Sequence, residues 1–314
     1  MRILITGGFG FVGGRLARHL QYADHEIVLG ARKENSPPEW LPHAAVLQTD
    51  WVDEIALARI CAGVDVVIHA AGMNAQDCAA NPLAALEFNG LATARLLGAA
   101  IRAGVKRFIY LSTAHVYASP LSGIITESTC PQNMHTYATS HLAGENAVLG
   151  AAQRRQIEGV VLRLSNAFGV PAHKDVNCWM LLVNDLCRQS VTGHSLVLRS
   201  AGLQRRDFVS LENVARAVAH LIGLCNEEIG DGVFNIGGMW SPRVIDVVGF
   251  IKERCSEVLR FTPEIVCATP KDGEETLDLD FRINKLRSTG FSLSAEVSSE
   301  IDATLLFCRK FFSN

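Results

Sequence analysis

The first thirteen residues already constrain the fold strongly. An apolar run over residues 2–6 leads straight into Thr6-Gly7-Gly8-Phe9-Gly10-Phe11-Val12-Gly13, and a helical segment follows over 13–21. Glycines 7, 10 and 13 stand where a strand must turn sharply into a helix. A residue without Cβ tolerates that turn, lets a pyrophosphate approach the backbone, and lets helix and strand pack closely. The helix start then offers free N–H groups and the positive end of its dipole to phosphates. Alone, a glycine triplet says little. Between a strand and an amphipathic helix it points to a dinucleotide-binding turn formed by Gly7, Gly10, Phe11, Val12 and Gly13.

The N-terminal half repeats this unit. Apolar runs at 26–29, 45–48, 64–69, 107–112 and 160–164 alternate with helical segments at 55–62, 82–103 and 136–153. Strands without polar alternation are expected to be covered on both faces. The alternation implies right-handed βαβ crossovers, and so an α/β fold with a Rossmann-type doubly wound parallel sheet. After Asn166 the pattern loosens, with a strand expected at 196–199 and no regular alternation from Cys255 on. The expected organisation is a dinucleotide-binding domain over 1–165 and a smaller mixed C-terminal substrate lobe over 166–314. Part of 205–250 is expected to return to the first domain. A ligand cleft should lie between the lobes, at the C-terminal edge of the sheet.

Composition excludes several classes. Hydrophobic residues make up 48% and charged residues 19%, enough for a large core, and the formal net charge is −3. No basic excess marks a nucleic-acid or anionic-membrane surface. No apolar run reaches the ~18 residues of a membrane span, and no signal peptide is apparent. The nine cysteines show no C-x-x-C pair or metal-ligand spacing. Reduced thiols in a cytoplasmic protein without a bound metal are the expectation.

The second strand bears on the choice of dinucleotide. An acidic residue at its end would hold the ribose 2′-OH of NAD. Here the chain reads Leu29-Gly30-Ala31-Arg32-Lys33. A guanidinium can clamp a 2′-phosphate through charge-assisted, bidentate hydrogen bonds, so NADP is expected, with Arg32 as its contact and NAD as the alternative. Asp50, after the third strand, is a candidate adenine contact or a structural cap.

Several ordered motifs carry a family resemblance. They are the TGGFGFVG turn, His69-Ala70-Ala71-Gly72, Asn89, Leu111-Ser112-Thr113-Ala114-His115-Val116-Tyr117 and the Tyr137 helix. Arg163-Leu164-Ser165-Asn166-Ala167-Phe168-Gly169, Arg206-Asp207-Phe208-Val209 and Phe234-Asn235-Ile236-Gly237-Gly238 follow. In this order they resemble the extended short-chain dehydrogenases/reductases, specifically the NAD(P)-dependent nucleotide-sugar epimerase/dehydratase group. The resemblance implies that Ala70, Ala71 and Gly72 line the dinucleotide and that Ser112 and Thr113 meet the substrate. It further implies that Thr113 binds a substrate hydroxyl or carbonyl while Tyr137 acts as acid or base at the same oxygen. In the family a lysine one turn after the tyrosine lowers its pKa and binds the nicotinamide ribose.

This chain departs at that lysine, reading Tyr137-Ala138-Thr139-Ser140-His141. Residues i and i+4 share a helix face, so His141 still points at the site. It can replace the lysine as an imidazolium or as a ribose hydrogen-bond donor. It can mark chemistry that needs a less acidic tyrosine, or a protein that binds a dinucleotide without efficient turnover.

Asn166 and Arg206 match family positions that contact the substrate's diphosphate, with Arg205 an alternative and a salt bridge to Asp207 the competing role for Arg206. Near the C-terminus Arg282 holds a usual acid position, so nucleotide recognition is expected to differ. Ala114 and His115 stand where 4,6-dehydratases usually carry an acidic pair. That leaves an epimerase or 4-ketoreductase acting on a nucleotide-linked sugar. The alternative from another class is a catalytically weak dinucleotide sensor or scaffold. Alanine- and leucine-rich faces at 82–103 and 136–153 lead us to expect a homodimer.

Overall fold

Seven parallel strands form the central sheet of the computed structural model, which describes residues 1–33, 36–270, 276–294 and 296–313. They are β1 (Arg2–Thr6), β2 (Glu26–Ala31), β3 (Ala45–Gln48), β4 (Val66–His69), β5 (Arg107–Thr113), β6 (Glu158–Leu164) and β7 (Val233–Ile236). Their spatial order is β7-β6-β5-β4-β1-β2-β3. The chain winds outward from β1 to β3, then crosses to β4 on the other side of β1 and winds away. The reversal between β1 and β4 opens a crevice at the strands' C-terminal ends. Thr6 and His69 face each other there, in register.

Burial explains the continuous apolar runs. Ile3 and Ile5 of β1 join one core while Leu4 joins the other, because successive side chains point to opposite faces. Helices Phe11–Leu20 and Leu211–Gly223 pack together on the first face. Helices Glu54–Cys61, Thr93–Arg102 and Thr136–Gln153 contribute to the second.

A third core lies in the C-terminal part. It is built from helices Leu182–Gly193, Val244–Val258 and Val297–Phe312 around Leu186, Val247, Ile251, Ile301 and Leu305. Two short parallel pairs frame it, Asn166–Phe168 with Phe208–Ser210 and Ser195–Val197 with Glu264–Val266, while a third, Gly123–Ile125 with Leu279–Phe281, packs into the first core. The 205–250 stretch supplies both β7 at the sheet edge and the helix over Phe11–Leu20.

The segment expected as one helix over 82–103 contains a π-helical turn, Leu86–Ala92. Such turns displace single residues toward functional sites. Here Asn89 is turned inward, accepting from the Met73 N–H at 2.8 Å and donating to the Ser140 hydroxyl at 3.0 Å. No helix among the described residues is long and apolar enough to cross a membrane. All nine cysteines are free, and six of them are buried.

Candidate active site

The glycine turn is sterically forced. Gly7 has φ +68°, and a Cβ on it would lie 2.7 Å from the Ala71 nitrogen and 2.8 Å from the Ala70 oxygen. A Cβ on Gly13 would run into the Gly7 carbonyl. Ala70 and Ala71, at the end of β4, are thus the wall against which the turn closes. The Gly10 N–H donates to the Gly7 carbonyl at 2.8 Å, which fixes the turn. Gly10 then starts the helix Phe11–Leu20 with no side-chain cap. The first-turn N–H groups of Phe11 and Val12 are left for a partner at the positive end of the helix, which fits a pyrophosphate.

At the far end of the crevice, Gly30 fills the position of the missing acid for a packing reason. A Cβ there would come within 2.8 Å of the Thr49 hydroxyl and 3.3 Å of Thr6 Cα. The Thr49 hydroxyl oxygen is itself buried without a partner among the described residues. Arg32 and Lys33 are exposed just beyond β2. Asp50 accepts from the Val52 N–H at 3.0 Å, so one carboxylate oxygen closes a local turn.

Thr113 ends β5, and its hydroxyl accepts from the His115 N–H at 3.1 Å. Tyr137 sits in the first turn of helix Thr136–Gln153, whose cap, the His135 side chain, accepts from the Tyr137 N–H at 3.1 Å. Burial pushes the Tyr137 phenol above its ordinary pKa, and a hydrogen bond with Thr113 pulls the other way. The strand end and the helix start therefore bring the two hydroxyls together.

His141 lies beside them, its ring centroid 4.7 Å from that of Tyr137 and nearly perpendicular to it. Burial lowers its pKa to about 4. Burial thus disfavours the imidazolium form of this side chain at neutral pH. Beneath it His69 bridges two hydroxyls, Thr6 at 2.6 Å and Thr93 at 2.9 Å.

Ser112 has a partner inside the protein. Adjacent strand residues face opposite sides, and its neighbour Thr113 takes the cleft side. The Ser112 hydroxyl donates to Glu145 at 2.5 Å, and Glu145 is paired with Arg163 at 2.6 Å. This buried ion pair, with Arg163 stacked 4.8 Å from the Tyr117 ring, locks the helix onto β5 and β6. The hydroxyl expected at the substrate is thus held by Glu145.

Asn166 donates its amide to the Asp207 carbonyl at 2.9 Å. Asp207 accepts from the Gly238 and Trp240 N–H groups at 2.9 and 3.1 Å, so its carboxylate points inward. Burial, partly opposed by these donors, raises its pKa to about 7. The anticipated Arg206–Asp207 salt bridge does not form. Arg206 is half-buried, faces the Gln204 amide oxygen, and acts electrostatically on His115. Burial alone lowers its pKa, with no acid opposing. Arg205 instead donates to the Ser241 carbonyl at 3.0 Å, and Arg282 pairs with Asp280 at 2.7 Å.

Sequence patterns of the NAD dependent epimerase/dehydratase family match residues 3–237. The chain belongs to this family. Two relatives carry specific activities in their names. The dTDP-D-glucose 4,6-dehydratase of Mus musculus is 27% identical over 331 residues, covering 100% of this chain and 90% of that protein. The UDP-glucose 4-epimerase of Azospirillum brasilense is 27% identical, covering 82% of this chain and 78% of that one. The fold is shared with UDP-glucuronic acid 4-epimerase from Bacillus cereus, solved in complex with UDP-glucuronic acid and NAD. That structure has a TM-score of 0.80 at 22% identity and covers 99% of this chain and 100% of its own.

Within this family member's cleft, the sequence pattern did not single out Tyr110. It lies in a run read simply as apolar, yet a buried tyrosine needs a partner for its hydroxyl. That partner is Nδ1 of His141, at 2.9 Å. Tyr110 stands two residues before Ser112, hence on the same face of β5, and that spacing was the available signal.

Proposed function

We propose that the protein reduces a keto group on a nucleotide-linked sugar, using NADP(H) in preference to NAD(H). The observation that carries this reading is the burial of the central pair, which favours the uncharged form of both rings. Tyr137 is held as a phenol beside a neutral His141. A phenol of raised pKa beside an uncharged ring is a proton donor in waiting, whereas a tyrosinate base needs a neighbouring positive charge.

In this reading the Thr113 and Tyr137 hydroxyls both hold the substrate carbonyl oxygen. Tyr137 gives that oxygen its proton as the carbonyl becomes an alcohol. The dinucleotide, when bound, supplies the hydride. Gly7, Gly10, Phe11, Val12 and Gly13 hold its pyrophosphate, with Ala70, Ala71 and Gly72 at the nicotinamide side. Arg32 takes the 2′-phosphate, and Asp50 lies toward the adenine. Arg206 binds the substrate diphosphate, helped by the free side-chain oxygen of Asn166. The exposed leucines 83, 86 and 91 support pairing of two copies along the 82–102 segment.

The test is direct. The protein is purified without added dinucleotide, any released dinucleotide is identified by mass, and the empty protein is titrated with NADPH and NADH. It is then given a 4-keto nucleotide sugar while nicotinamide absorbance is followed. Oxidation of NADPH, lost by about 10²–10⁴-fold in Tyr137→Phe, is the expected result. Dinucleotide retained through purification would point to an epimerase that recycles it. Preference for NADH would remove Arg32 from the phosphate role.

A further inference from the structure

We infer that Tyr110 is a positioning residue that fixes His141 as its Nε2–H tautomer, turning that N–H toward the dinucleotide side of the cleft. The inference rests on the reading of the cleft given above, and it concerns a residue outside the Thr113–Tyr137–His141 set.

Hydrogen-bond geometry gives the direction. The Tyr110 oxygen lies 2.9 Å from His141 Nδ1 and 3.3 Å from the Asn89 carbonyl oxygen. The longer distance lies outside the usual range of about 2.5–3.0 Å for O–H···O bonds. The same carbonyl already accepts from the Thr93 hydroxyl at 2.7 Å. The Thr93 hydroxyl is also within reach of the phenol, but it already meets His69 Nε2 at 2.9 Å, which leaves Nδ1 as the acceptor for the Tyr110 proton. Burial raises the pKa of this phenol, so the proton is always available for donation. A neutral imidazole carries one N–H, and an Nδ1 that accepts leaves Nε2 as the donor.

Nε2 has a defined outlook. A Cβ built on Gly72 would stand 3.8 Å from it and 3.7 Å from Cε1. The donor edge of His141 thus meets the backbone that follows β4, beside Ala70 and Ala71 of the glycine-turn wall. A neutral donor at this place can bond a ribose hydroxyl without lowering the pKa of Tyr137.

The neighbourhood is built around the Tyr110 hydroxyl. A Cβ on Gly144, one helical turn beyond Ser140, would fall 2.7 Å from that oxygen and 2.8 Å from the Asn89 carbonyl. Glycine at 144 is what lets the phenol reach His141. Glycine in a helix interior otherwise costs roughly 0.5–1 kcal/mol relative to alanine, so its presence needs such a reason.

The experiment reads the tautomer itself. Protein carrying ¹⁵N-labelled histidine, without dinucleotide or substrate, is examined by long-range ¹H–¹⁵N correlation near neutral pH, with His141 assigned by its loss in His141→Gln. The expected spectrum has an unprotonated Nδ1 and a protonated Nε2. Tyr110→Phe should convert it to a mixture and weaken dinucleotide binding about fivefold or more, the worth of one hydrogen bond. Gly144→Ala, which leaves the chemistry of both rings intact but crowds the Tyr110 hydroxyl, should do the same. A protonated Nδ1 in the unaltered protein would overturn the proposal, as would a His141 spectrum or a dinucleotide affinity unmoved by Tyr110→Phe. Because the tautomer is read without turnover, failure to reduce any keto sugar would count against the reductase reading alone.

Discussion

Tyr137 and His141 meet edge to face, with ring centroids 4.7 Å apart and planes at 74°. A lysine in place of the histidine would bring a cation to the phenol. Here the helix brings an imidazole whose pKa burial lowers to about 4. What remains to lower the tyrosine's pKa is the Thr113 hydrogen bond and the positive end of the helix that starts one residue earlier. Both are smaller than a full charge nearby.

The pH dependence follows from this. In the reducing direction the active form is the phenol, so the rate should stay level from about pH 6 to about pH 9 and fall only as Tyr137 ionises. In the oxidising direction the phenolate is needed, so the rate should climb through the same range. Initial rates in both directions check this. A loss of oxidation rate as pH rises through about 6.5 would mean that a charged histidine does assist, contrary to the structure.

His69 makes a stability prediction. Burial first, and His141 second, lower its pKa to about 3 from the ordinary 6.5. As pH falls below about 6.5 the unfolded chain takes up a proton that the folded chain refuses, so stability is lost from there down toward pH 3. His141 acts in the same sense down to about pH 4. Asp207 acts oppositely: its folded pKa is about 7 against an ordinary 3.8, so it favours folding as pH falls through 7. Comparing His69→Gln with the unaltered protein removes these common contributions. Urea unfolding at about pH 7 and about pH 5 should show a smaller acid loss in His69→Gln. Equal losses would mean that His69 is already charged in the folded protein.

The exposed leucines predict assembly. Leu83, Leu86 and Leu91 are exposed at the start of the 82–102 segment, which packs against helix Thr136–Gln153. Light scattering at micromolar concentration should give twice the chain mass. Leu86→Glu with Leu91→Lys should halve it while leaving the melting temperature near that of the parent. A monomeric parent would end the dimer proposal.

Much of the sheet was legible because its signal is local. β1 and β3 appear within the bounds read from their apolar runs, and helix Thr136–Gln153 does too. β7 was not read as a strand. It has four residues, carries Asn235 in its middle, and owes its place to pairing with β6, far away in sequence. The three-residue pairs of the C-terminal part are too short for any periodicity to show. In the cleft, the family resemblance brought Thr113 and Tyr137 into one reading, and the i,i+4 spacing added His141. It could not give the charge of His141, which depends on burial by β5 and the Leu86–Ala92 turn. Nor could it assign Ser112, whose partner Glu145 lies on another element.

Arg206 offers the sharpest test of substrate class. A guanidinium that is half out of water usually has a carboxylate partner. Among the described residues none is within ion-pair distance, since Asp207 has turned toward Gly238 and Trp240. The Gln204 amide oxygen is a neutral partner and leaves the charge unmatched. A diphosphate would match it and take two parallel N–H bonds. Arg206→Gln should therefore weaken a nucleoside diphosphate, tested with UDP and dTDP as inhibitors, by about tenfold or more, the worth of a charged hydrogen bond. Arg206→Lys should recover part of that affinity, because it keeps the charge but loses the paired geometry. Dinucleotide affinity should stay the same in both. If neither variant alters nucleotide binding while melting temperature falls, Arg206 supports the lobe structurally, and the diphosphate must be bound elsewhere.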